Sequence, residues 1–80
     1  MDPPEIKYMD TRSIMVINRH GNIRQLFVPF RVIVLHSTGD LISGSSVIVE
    51  EVREYPEYKL IYRITSHWWP YYVFKLTVEY

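Results

Sequence analysis

The stretch YKLIYRITSHWWPYYVFKLTVEY, residues 58–80, decides the fold class. Its first part sets Tyr58, Leu60, Tyr62 and Ile64 at every second position, with Lys59, Arg63 and Thr65 between them and Ile61 as the exception. Its last part puts Tyr72, Phe74, Leu76, Val78 and Tyr80 on one side and Tyr71, Val73, Lys75, Thr77 and Glu79 on the other. Successive side chains of a strand point to opposite sides of the pleat, so a period of two marks a strand with one buried face. Two such strands in succession predict an antiparallel pair with one wetter side. SHWWP, residues 66–70, then reads as a hairpin connection of about five residues.

Upstream, EYPEY (54–58) reads as a loop with Pro56 at its centre. In LISGSSVIVEEV (41–52), Gly44, Ser45 and Ser46 break the run before Val47 and Val49 share a face. Residues 47–54 also admit a short helix that groups Val47, Ile48, Glu51 and Val52, against which three consecutive β-branched residues weigh. STGD (37–40) is a turn. Before it, Leu26, Val28, Phe30, Val32 and Val34 alternate along a segment from Ile23 to His36. Pro29 has no N–H to donate, so this segment is two linked strands or one strand bent from one sheet into another. RSIMVIN (12–18) is a strand, and RHGN (19–22) supplies a tight turn in which Gly21 takes a positive φ without a Cβ clash. MDPPE opens the chain with adjacent prolines. The reading is a flexible lead over residues 1–11 and one small β domain over 12–80.

Composition agrees with strands. Valine and isoleucine occur nine times each and alanine is absent, while two Trp, seven Tyr and three Phe supply ring area. Branched and aromatic side chains suit a pleated surface and lose rotamer freedom in a helix. The expected architecture is all-β: a five- to six-stranded antiparallel barrel or curled sheet. The spacing of Leu41, Gly44, Val47, Val49 and Val52 resembles the glycine turn and following strand of SH3-like and related small barrels. That resemblance implies a partly open barrel.

The chain carries nine basic and nine acidic side chains. Net neutrality removes any long-range pull towards nucleic acid or acidic lipid. Arg12, Arg19, Arg24 and Arg31 lie in a segment without acids, whereas Glu50, Glu51, Glu54 and Glu57 crowd together; the expectation is that these two segments pair across a sheet. No cysteine is present, which excludes disulfides, thiolate metal sites and cysteine nucleophiles, and points to a reducing, cytoplasmic setting. No signal peptide or membrane span is expected.

His20, His36 and His67 are too far apart in sequence for a metal-ligand motif. SGSS (43–46) lacks a nucleophile elbow, and three scattered glycines make no phosphate loop. No enzyme, cofactor or metal is expected. The alternating faces already supply a full core in Leu26, Val28, Phe30, Val32, Val34, Val47, Val49, Leu60, Tyr62, Ile64, Tyr72, Phe74 and Leu76. Trp68 and Trp69 are adjacent and point to opposite sides of an extended chain, so one of them is surplus to that core. The expected function is an interaction module. His67, Trp68, Trp69, Tyr71 and Arg63 bind a protein partner, or a second copy in a homodimer, through the aromatic hairpin. The alternative is single-stranded nucleic-acid binding by stacking on the same rings.

Overall fold

A computed structural model describes residues 4–77. The expected face positions of Val78, Glu79 and Tyr80, and the opening residues 1–3, lie outside the described residues. Within them the chain is all-β, with nine short strands in three three-stranded antiparallel sheets. The first sheet holds β1 (Glu5–Asp10), β2 (Ser13–Ile17) and β3 (Ile23–Phe27) in that order. The second joins β4 (Phe30–Val34) to β5 (Ser46–Val49) on one side and β9 (Phe74–Leu76) on the other. The third has β6 (Glu51–Tyr55), β7 (Lys59–Ile64) and β8 (His67–Pro70). A single 3₁₀ turn, Tyr71–Val73, leads into β9.

Each sheet buries its central strand. Ile14 and Val16 of β2, Phe30, Val32 and Val34 of β4, and Leu60, Tyr62 and Ile64 of β7 meet in one apolar cluster with Leu41, Val49, Val52 and Phe74. Each fully buried valine or leucine stabilises the fold by about 1.5–3 kcal/mol relative to exposure. The third sheet is tied to the first where the Val52 N–H donates to Thr11 O (3.0 Å), and the Leu35 N–H to Val73 O bond (2.8 Å) extends the β4–β9 ladder into the 3₁₀ turn. The three sheets share one apolar core, and no closed barrel is found among the described residues.

The proline break falls where its chemistry demands. β3 ends at Phe27, the Val28–Pro29 bond is cis, and β4 begins at Phe30 in a different sheet. The β2–β3 hairpin closes through the Asn18 side chain, whose Oδ1 accepts from the His20 and Asn22 N–H groups, with Gly21 at φ 84°. Residues 47–54 are strand, split at Glu50 between β5 and β6.

Several expectations are corrected. The lead expected over 1–11 contains β1, because Ile6 and Tyr8 pack on the core opposite Val16 and Ile14. Five or six strands become nine, since Pro29 and Glu50 each divide a longer run and β1 and β8 form where a lead and a loop were expected. Tyr72, expected in the core, is 54% exposed because that turn rotates it out of the strand pattern. Ile14, Val16, Leu41 and Val52 fill the core places that the sequence pattern had not assigned.

Candidate functional site

The connection expected over 66–70 is shorter in the structure. The turn is confined to Thr65 and Ser66, both at positive φ (50° and 66°), and His67–Pro70 becomes strand. Two central residues at positive φ match the twist of a two-residue hairpin, although neither is the glycine or asparagine that usually adopts it. Glu50 supports the turn by accepting from the Ser66 N–H at 3.3 Å. The short turn sets the register as Ile64↔His67, Arg63↔Trp68, Tyr62↔Trp69 and Ile61↔Pro70.

Register separates the two tryptophans. Trp69 follows Tyr62 to the inner side and packs, half-buried, against the core. Its ring also lies over Gly39, where an added Cβ would stand 2.8 Å from Cη2 and where φ is +54°. Trp68 follows Arg63 to the outer side and keeps 36% exposure. Tyr62 itself stands edge-on to Phe30, with ring centroids 5.6 Å apart. Its hydroxyl has no hydrogen-bond partner among the described residues, and burial raises its pKa well above the ordinary tyrosine value.

The outer face of β6–β7–β8 is built in rows. Glu51, Arg63 and Trp68 form one, Arg53, Ile61 and Pro70 the next, and Tyr55 and Lys59 the third. The Arg53 guanidinium carbon lies 5.0 Å from the Trp68 ring centroid, a cation–π contact that holds both side chains. Arg53 Nε also stands 3.3 Å from Glu51 Oε1. Arg63 lies 3.5 Å from both Glu50 and Glu51, its Nε facing Glu50 as an ion pair without hydrogen-bond geometry. Beyond Pro70, Tyr55 stacks on Tyr58 (5.4 Å, 18°) and Tyr58 meets Tyr72 edge-on at 6.1 Å. Arg53, Tyr55, Tyr58, Ile61, Trp68 and Pro70 line a groove of about 460 Å³. Ile61, the exception in the sequence pattern, is the apolar floor of this groove.

The five residues expected to bind a partner are not all brought together. Arg63 and Trp68 share the outer face. Trp69 belongs to the inner side. His67 lies on the Trp69 side of β8, with Nδ1 3.0 Å from Thr65 O. Tyr71 is half-buried and lines a separate cleft of about 670 Å³ with Ile6, Leu35, Phe74 and Leu76. Sequence reasoning missed Arg53, Tyr55, Tyr58 and Pro70. The alternation Glu51-Arg53-Tyr55 could have found the first two, once it was read as a strand rather than as the approach to a loop.

The expected pairing between the arginine-rich and glutamate-rich segments does not occur among the described residues. Glu50 and Glu51 pair with Arg53 and Arg63 of their own sheet, whereas Arg31 donates to Ser46 Oγ at 3.2 Å. No group of three His, Cys, Asp or Glu side chains able to hold a metal ion occurs among the described residues, and no helix there is long and apolar enough to cross a membrane. No family model, curated protein or solved structure matches this chain.

Proposed function

We propose that this chain is a non-enzymatic binding module that takes a protein partner on the outer face of β6–β7–β8. The observation that carries the reading is the exposed Trp68 ring, oriented by Arg53 at the head of a groove floored by Ile61 and Pro70. A large ring already fixed in place buries apolar area on docking with little loss of side-chain entropy. Glu51, Arg63 and Lys59 surround it with charge of both signs, the polar rim such a contact uses. The scaffold is read as a curled, SH3-like arrangement, and the absence of cysteine fits a cytoplasmic setting.

Stacking of nucleobases is disfavoured on the same geometry. Arg53 already covers a Trp68 face, and Glu50 and Glu51 flank Arg63 beside that ring, so a phosphate there meets acids. The test has two arms. Partners captured by the wild-type chain are purified and titrated against it and against Trp68→Ala, which is expected to bind about thirtyfold more weakly. Tryptophan fluorescence is then titrated with short single-stranded oligonucleotides at low salt, with no change expected. Undiminished partner binding by Trp68→Ala would remove this reading, and a quench by oligonucleotide that the variant loses would replace it.

A further inference from the structure

The first sheet presents a different surface. Among the described residues β3 makes substantial contact only with β2, and its second edge is open. The Asn18 N–H bonds to Asn22 O at one end of the hairpin and the Val28 N–H to Arg12 O at the other. Antiparallel ladders alternate, so between those ends Arg24 and Leu26 face β2 while Ile23, Gln25 and Phe27 turn their N–H and C=O groups outward. The side chains of Ile23 and Phe27, both on the outer face of the sheet, are 62% and 63% exposed. Gln25 between them is held down by its amide, which donates to Ser13 Oγ at 3.1 Å and leaves the edge clear.

Exposed strand edges are ordinarily blunted by proline, a bulge or lysine. β3 carries none of these, and its one charge, Arg24, points to the opposite face. The edge of the third sheet is different, since β8 ends in Pro70, which offers no N–H.

We infer that β3 is a self-pairing edge, joining the first sheets of two copies of this chain into one continuous antiparallel sheet with its two-fold axis at Gln25. The strand is symmetric about that residue. Gln25 meets Gln25 of the second copy, and Ile23 meets Phe27 of the second copy on both sides of the axis. The outward N–H and C=O groups of all these residues then fall opposite one another as hydrogen-bonded pairs. Ile17, cross-strand from Ile23 within the protomer, extends the contact as an apolar row. The two Arg24 side chains fall opposite Leu26 rather than opposite each other, so the register brings no like charges face to face. A five-residue edge with two apolar side chains per copy is smaller than a standard interface, so the association is expected to be weak and reversible.

Sedimentation across a concentration series tests this on the intact chain, with circular dichroism to establish that each variant folds. Ile23→Glu and Phe27→Lys, made singly, are expected to weaken self-association by about tenfold or more. The double variant sets opposite charges across both symmetry-related contacts and is expected to recover association at low salt. Because the chain has no cysteine, Gln25→Cys introduces a unique thiol that is expected to oxidise to a covalent dimer far faster than His20→Cys. The inference is overturned by a chain that stays monomeric at high concentration, by a dimer indifferent to both single substitutions, or by a double variant that fails to recover. It is also overturned by a dimer that Trp68→Ala abolishes, which would locate association on the aromatic face.

Discussion

The sheets β1–β2–β3 and β6–β7–β8 have the same size and the same antiparallel order, yet they leave different things exposed. The third sheet offers a face, where Trp68, Ile61 and Pro70 provide side-chain area while Pro70 closes the adjoining edge. The first sheet offers an edge, where Ile23, Gln25 and Phe27 present main-chain groups with an apolar side chain at each end. A face selects by shape and buried area and accepts partners of any secondary structure. An edge accepts only another strand, because its main-chain donors and acceptors must be met in register. On the two proposals above, one small domain carries two recognition surfaces of different chemistry.

Single substitutions test that contrast. Trp69→Ala is expected to have the largest effect, a loss of about 3 kcal/mol, because it removes a ring packed on the core of a domain with little stability in reserve. Thermal unfolding would register a fall in Tm of roughly 15 °C. Gly39→Ala should follow with a loss of about 1–2 kcal/mol from the left-handed backbone, plus the displacement of Trp69. Chemical denaturation checks it, and a variant as stable as wild type would mean that the loop and ring are not in contact.

Tyr62→Phe is expected to leave stability unchanged or raise it by up to about 1 kcal/mol, because it removes a buried hydroxyl that has no partner among the described residues. Its pH dependence is more telling. Burial raises the phenol pKa in the folded chain above its unfolded value near 10, so the protection is complete below about pH 10 and is lost as pH rises beyond it. Denaturation at about pH 8 and pH 11 should show a steeper alkaline loss in wild type than in Tyr62→Phe. Of the destabilising changes the smallest is expected for Trp68→Ala, about 0.5–1 kcal/mol from the lost contact with Arg53. If it costs as much as Trp69→Ala, the outer face is part of the structural core rather than a surface left free.

Much of this was legible in the residues. The period-two runs at 58–64 and 30–34 placed two of the three central strands, and Phe30, Val32, Val34, Leu60, Tyr62 and Ile64 are buried as that pattern requires. Pro29 marked the change of sheet. The site was only partly legible. Trp68 and Arg63 were found, but Tyr55 and Tyr58 were hidden in a segment that reads as loop, and the Thr65–Ser66 turn carries no residue that advertises a two-residue hairpin. β1 was missed because Ile6 and Tyr8 are too short a pattern to identify a strand without the β2 edge that pairs with it.

Side-chain type and spacing by themselves determined that this chain forms strands and that one tryptophan of the pair is left out of the interior, because alternation is a local property of an extended backbone. Which tryptophan that is, and which rings and cations gather around it, follows from strand pairing across the sheet. A shift of one residue at the Thr65–Ser66 turn would exchange the two faces of β8, and that register depends on pairing with β7 rather than on anything within residues 66–70.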